Sequence, residues 1–168
     1  MLAWCVSAML AAGGQGALDG WGSVWSRDPS VISAVNDRTV TRAGRPTVRV
    51  DHTGRQDWSL SQLGEIRVRR GDIVEASVWI RVEGEGEAQL GFVSRGPDGA
   101  VREWIFGGRT ALAGDWRRIV ARVVVPEGVA TLLPRVTGNG PSRVWLEGFR
   151  CLKVGNTEEM RDPSMPGK

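Results

Sequence analysis

Trp104, Trp79 and Trp58 are the residues whose type and placing suit them best for chemistry, and that chemistry is non-covalent. Trp104 shares an outward row with Arg102, and Gln89 and Arg95 lie on the neighbouring segment. Trp79 shares a row with Glu75 and Arg81, and Trp58 stands where a loop enters a strand. An indole face stacks on C–H groups while flanking amides, carboxylates and guanidinium groups hydrogen-bond hydroxyls. Such a set holds a polar ligand without transforming it. Trp79 also reads as a packing residue, with Arg81 lying over a neighbouring indole as a cation–π lid. Trp21 and Trp116 stand beside turns and are expected to be packed, and Trp145 and Trp25 read as rim or packing residues.

Covalent and metal chemistry have less to draw on. His52 is the one histidine, reads as a surface residue at a strand end, and has no Gly-x-Ser-x-Gly elbow to work with. Zinc asks for several His or Cys ligands, and Cys5 and Cys151 are the two cysteines. Glu75 and Glu103 would have to stand about 5–9 Å apart to act as a catalytic carboxylate pair, and sequence spacing does not place them so. No catalytic or metal-binding residue is assigned, and the chain is expected not to be an enzyme.

The chain of 168 residues has a net charge of +3, and one domain with a real core fits that length. Arginine supplies all the cationic side chains except Lys153 and Lys168. Acids alternate with the arginines, and the one cluster, Arg67, Arg69 and Arg70, reads as a solvated strand end, not a nucleic-acid stripe. Residues 1–17 form an uncharged apolar run followed by small residues, too short to span a bilayer. A secretory signal peptide cut between Gly13 and Ala17 is the preferred reading. It implies a secreted, periplasmic or extracellular protein with no membrane span. Its removal takes Cys5 away and leaves Cys151 as a lone thiol. The competing reading is an irregular start whose apolar residues pack on the domain.

These side chains must be positioned by strands. From Arg70 to Val82, Val74, Ala76, Val78, Ile80 and Val82 alternate with Ile73, Glu75, Ser77, Trp79 and Arg81. That period of two predicts a strand buried on one face. Similar alternation recurs over Arg45–His52, Ala88–Val93, Ala100–Phe106 and Trp116–Val125, and Val31–Val35 and Arg38–Arg42 read as short separate strands. Gly84–Glu87, Gly96–Gly99 and Gly138–Pro141 read as hairpin turns. Roughly ten strands with turns every 8–12 residues predict an all-β, two-sheet antiparallel sandwich or jelly roll over residues 19–154. Gly155–Lys168 reads as a disordered tail or linker stub.

Four segments in order carry a resemblance: Gln56-Asp57-Trp58-Ser59; Val68-Arg69-Arg70-Gly71-Asp72 running into Ala76-Ser77-Val78-Trp79-Ile80-Arg81; Gly114-Asp115-Trp116 with Val125-Pro126-Glu127-Gly128; and Gly138-Asn139-Gly140 leading to Val144-Trp145-Leu146-Glu147-Gly148-Phe149. Together they resemble the carbohydrate-binding modules of the xylanase- and glucanase-associated families numbered four, nine and twenty-two, which are galactose-binding-like jelly rolls. The resemblance implies non-catalytic binding of a poly- or oligosaccharide on the concave sheet, through Trp104, Trp58, Trp79, Arg102, Gln89, Arg81 and Glu75. Members usually open with a strand ending in a glutamate that helps bind a structural calcium, and carry a paired Asp-Asp in the last strand. Here the chain enters at Asp19-Gly20-Trp21 and has Glu147-Gly148 instead. One carboxylate is no cage of six or more oxygens, so no cofactor is expected and calcium is the minor reading. The alternative function is a structural or protein-interaction sandwich of a secreted or cell-surface assembly, with Trp and Arg forming a protein interface.

Overall fold

Val74, Ala76, Val78, Ile80 and Val82 are at most 1% exposed, so the alternating row of the central strand is the middle of the core. Burying each Val or Ile in such a row stabilises by about 1.5–3 kcal/mol. The computed structural model describes residues 17–106 and 111–160, so the signal-peptide reading falls almost wholly outside the described residues.

Among the described residues eleven strands follow one another: β1 (Trp21–Ser26), β2 (Ile32–Arg42), β3 (Arg45–His52), β4 (Trp58–Gln62), β5 (Ile66–Arg67), β6 (Asp72–Gly84), β7 (Glu87–Arg95), β8 (Val101–Phe106), β9 (Gly114–Val124), β10 (Thr131–Asn139) and β11 (Ser142–Asn156). They form two antiparallel sheets, as the alternation predicts. The first has the order β1-β4-β10-β7-β8 with β5 beside β10, and the second has the order β2-β3-β11-β6-β9. The inward rows meet in one core. Leu60, Leu90, Phe92, Leu132 and Val136 come from the first sheet, and Val50, Val78, Ile80, Val144 and Leu146 from the second.

Two of the expected hairpins are something else. β6 and β7 belong to different sheets, as do β10 and β11, so Gly84–Glu87 and Gly138–Pro141 are corners that carry the chain across the sandwich. The corners lie against each other: the Glu85 and Gly86 amides donate to the Pro141 carbonyl at 3.0 and 3.1 Å. A Cβ on Gly86 would stand 2.3 Å from the Asn139 carbonyl oxygen, and one on Gly84 2.7 Å from that of Pro141. Close backbone approach is what those glycines permit. The expected break at Asn36-Asp37 is also absent: β2 is one strand with a bulge between Asp37 and Arg42.

The boundary expected at Val154 is set too early. β11 continues to Asn156, which is 2% exposed and donates from Nδ2 to Asp72 Oδ1 at 2.8 Å and to the Arg70 carbonyl at 3.2 Å. The Gly71 amide donates to the Val125 carbonyl, and the Thr157 amide donates to the Gly71 carbonyl, both at 2.8 Å. The Arg70–Asp72 turn therefore ties the start of β6 to the ends of β9 and β11. Its arginines are engaged by acids, Arg69 with Asp72 and Glu159, Arg70 with Glu127 and Glu158. Cys151 packs against the core, and burial pushes its thiol up to about 11, so it stays protonated.

Burial opposes the charge on Asp72, but Lys153 Nζ at 2.8 Å, Asn156 and the Arg69 amide outweigh it and hold the carboxyl down at about 2. A carboxyl held below its unfolded value takes its proton later than the unfolded chain does. Its stabilisation, about 2 kcal/mol, is complete above about pH 4 and is lost as the pH falls toward 2. Urea unfolding from pH 6 to pH 2 should show that fall, and Asp72→Asn should lower stability at pH 6 and flatten the profile.

Candidate functional site

Strand register places two half-exposed indoles on one face of the first sheet. Trp25 of β1 stands opposite Ser59 of β4, Ser59 opposite Thr137 of β10, and Thr137 opposite Gln89 of β7. Two pairs along, Leu133 of β10 faces Val93 of β7, which faces Trp104 of β8. Directly opposed residues share a face, so Trp25, Thr137, Gln89, Arg135 and Trp104 all project outward together. Trp25 is 52% and Trp104 50% exposed. Four strand spacings separate them, about 19 Å across the sheet.

Between them lies a depression with about 160 Å³ of open space, bordered by Trp25, Asp57, Glu87, Gln89, Arg135 and Asn139. Trp58 belongs to its floor. The expectation that Trp58 offers a stacking face fails, because it is 1% exposed and turned into the core. Its row on β4 is the inward one, shared with Leu60, and it pairs with Gly138 of β10. A Cβ at Gly138 would stand 2.4 Å from Trp58 Cζ2, so the indole edge lies directly against that backbone. What Trp58 does retain is its Nε1–H, which has no acceptor among the described residues; Thr137 Oγ1 of the same depression likewise has no partner. A buried donor in that condition costs about 1–3 kcal/mol, a cost that an incoming acceptor removes.

The charged groups at the rim are held in place. Asp57 Oδ1 accepts from Arg27 Nε at 2.6 Å, and that bond keeps its carboxyl below the usual range. Glu87 Oε1 accepts from Asn139 Nδ2 at 2.8 Å. Arg135 lies with its guanidinium carbon 4.0 Å from the Trp104 ring centre. Burial pushes Arg135 down to about 10, with the Asp57 charge working the other way, so it remains cationic at neutral pH. It covers one face of Trp104 and borders the depression. The Asp57 carboxyl is shifted away from the raised value that a general acid requires.

The other expected binding residues lie on the opposite side of the sandwich. Trp79, Arg81 and Glu75 project outward from β6 in the second sheet, whereas Trp104, Arg102 and Gln89 belong to the first. The seven therefore do not form one site. Trp79 lies under Arg42, 3.5 Å from its guanidinium carbon, as a packed indole. Arg81 lies over a neighbouring indole as expected, 5.2 Å from the Trp145 ring centre, and pairs with Glu83, while the guanidinium over Trp79 is that of Arg42. Glu75 is engaged by Arg122 and Arg118. With Glu103 on β8 of the other sheet, Glu75 has no carboxylate pair to join. Arg102 belongs to the same sheet as the depression but is tied to Asp98 at 3.0 Å in the β7–β8 turn. Trp21 is packed as expected, edge-on to Phe149 at 5.3 Å. His52, expected at the surface, is 2% exposed, with Nδ1 2.9 Å from the Gly140 carbonyl oxygen.

Two buried acids organise that second face. Asp37 Oδ2 accepts from Trp145 Nε1 at 3.0 Å and from Arg49 at 2.9 Å, while Oδ1 accepts from Thr39. Burial alone would raise the Asp37 carboxyl, and these bonds overcome it and drive it well below the usual range. Glu147 is bonded by Arg42 at 2.9 Å and faces Arg45 at 3.3 Å. Both its oxygens are directed at cations.

Sequence reasoning passed over Arg135, Thr137, Asn139 and Asp57, and took Trp25 for rim or packing. Nothing local marks the row of Thr137 and Arg135 as the one beside Trp104. The tertiary register supplies that link.

No family model and no curated protein matches this sequence. Solved structures do. The chain is similar to the CBM22-1–GH10 modules of endo-1,4-β-D-xylanase 10B from Clostridium thermocellum complexed with xylohexaose, at 12% identity and a TM-score of 0.61, over 81% of this chain and 26% of that one. It thus spans about a quarter of that enzyme chain. It is similar to the CBM22-1 xylan-binding domain of Xyn10C from Paenibacillus barcinonensis at 15% identity and a TM-score of 0.61, over 85% of this chain and 91% of that one. It is also similar to TmCBM61 in complex with β-1,4-galactotriose, at 18% identity and a TM-score of 0.53, over 79% and 88%. At these identities the likeness establishes the jelly-roll fold.

Gly138→Ala tests the floor of the depression. The added methyl has the Trp58 ring on one side and the Glu87 carbonyl oxygen 2.5 Å away on the other. Overpacking of this kind costs about 1–3 kcal/mol. The urea midpoint should fall accordingly, with a change in tryptophan fluorescence as Trp58 is displaced.

Proposed function

We propose that this protein is a non-catalytic carbohydrate-binding module whose ligand lies across the outer face of the first sheet. The observation that carries the proposal is the pair of half-exposed indoles, Trp25 and Trp104, at opposite edges of one strand-lined face. Between them run hydrogen-bonding side chains and two polar atoms without partners, Trp58 Nε1 and Thr137 Oγ1.

The physical match is to a poly- or oligosaccharide. A pyranose ring has a C–H face for an indole and a rim of hydroxyls that both donate and accept. Gln89, Asn139 and Thr137 can answer in either sense, Asp57 and Glu87 accept, and Arg135 donates. The unsatisfied Trp58 donor suits a hydroxyl or ring oxygen. Jelly rolls of this shape that are described as binding xylan or β-1,4-galactotriose support the reading. The apolar run at residues 1–17 supports an exported protein, the setting in which such polymers occur.

Affinity electrophoresis and calorimetry against xylan, β-glucans and galactans should detect a dissociation constant between millimolar and micromolar, about −4 to −8 kcal/mol. Trp25→Ala and Trp104→Ala should each weaken binding about two- to tenfold without lowering the melting temperature. Trp79→Ala should leave affinity unchanged. No binding to any plant, algal or microbial polysaccharide would overturn the reading.

A further inference from the structure

The second sheet carries a pocket of different chemistry on its own outer face, with about 290 Å³ of open space. Arg42, Arg45, Arg118 and Arg150 line it, and Glu147 is its one carboxylate. Four guanidinium groups against one lining carboxylate leave a formal surplus of three positive charges in the pocket, which Glu75, shared with Arg122 and 4.0 Å from Arg118, offsets only in part. Glu147 does not relieve that surplus evenly. Its oxygens are committed to Arg42 and Arg45, away from Arg118 and Arg150.

Separate stretches of chain are bent to bring this about. The bulge in β2 carries Arg42 over Trp79. In β11 the register slips between Glu147 and Arg150, with Gly148 at a φ of 64°. Regular alternation would turn residues three apart to opposite faces, but the bulge leaves Glu147 opposite Trp79 and Arg150 opposite Ser77, both on the outward row. Arg118 stands opposite Trp79 from β9 and donates to Ser77 Oγ at 3.0 Å. Ser77 is itself 4% exposed, so that guanidinium is anchored to the floor of the pocket. Arg42 is fixed flat on the indole. The forks are oriented before any ligand arrives, and Arg150 forms no ion pair among the described residues.

We propose that this pocket is an oxyanion site for a sulfate or phosphate group, separate from the saccharide face and independent of the reading given for it. Guanidinium forks match the oxygen spacing of such groups and bind them through paired charge-assisted hydrogen bonds. A doubly charged tetrahedral ion offsets more of the surplus than acetate or chloride does. The free ion and an ester carried on a saccharide present the same oxygens, and the experiment separates them.

Titrating inorganic sulfate, inorganic phosphate, a monosaccharide sulfate and acetate at constant ionic strength, followed by NMR of arginine side-chain and tryptophan indole signals, tests the site. Saturable shifts at Trp79 and Gly148 are expected for sulfate and phosphate, with acetate weaker. Stronger binding of the monosaccharide sulfate identifies an ester as the occupant, and equal binding identifies the free ion. Arg150→Gln, at an exposed side chain, should weaken binding about fivefold or more without changing the melting temperature. Arg118→Gln should do the same, and Trp25→Ala should have no effect. Shifts that match those from chloride, or that persist in Arg150→Gln, would overturn the site.

Discussion

Two sheets can be stacked only if each presents a dry row to the other, and β6 sets that condition for the whole molecule. Its buried row runs between β11 and β9, so the register of both neighbours follows from where those side chains must point. A slip of one residue would turn every Val and Ile of the row into water and bring Glu75, Trp79 and Arg81 into the core. The corners obey the same constraint. Gly84, Gly86 and Gly140 let two crossings lie backbone to backbone, which closes the end of the sandwich without a side chain to wedge the sheets apart.

The two outer faces have been used in opposite ways. On the second sheet the buried acids are fully paired: Asp37 collects Trp145, Arg49 and Thr39, and Glu147 collects Arg42 and Arg45. Buried acids of this kind are stable only because several donors converge on them. The indoles there are covered by guanidinium groups and act as packing. On the first sheet Trp25 and Trp104 stay half-exposed at the two edges, with Arg135 over one face of Trp104, and the floor between them keeps polar atoms unmatched. A face that is internally satisfied has little left to offer a neutral polar ligand. The face with open donors has more.

Chain ends and turns also bear on the core through hydrogen bonds as well as apolar contact. Asn156, at the end of the last strand, completes the shell of Asp72 at the start of the central one. Gly155 and Asn156 therefore belong to the fold, although their composition reads as tail. Asn156, flanked by Gly155 and Thr157, gives no local sign of burial, because its burial depends on a partner 84 positions away.

The amino-acid sequence by itself determined the all-β class, the inward rows and the strand positions to within a few residues. Period-two alternation is a local property that survives without knowledge of partners. It also marked Trp104 and Gln89 as outward, and the order of its motifs already resembled a carbohydrate-binding jelly roll. Only the tertiary structure decided which strands are neighbours. A Gly-rich turn reads the same whether the chain folds back beside itself or crosses to the other sheet, so Gly84–Glu87 and Gly138–Pro141 looked like hairpins. That ambiguity scattered the expected site, placing Trp79, Arg81 and Glu75 on one side of the molecule and Trp104 with Trp25 on the other. Trp58 went inward for a related reason: the space beneath Gly138 that receives its ring is made by two strands far apart in the chain.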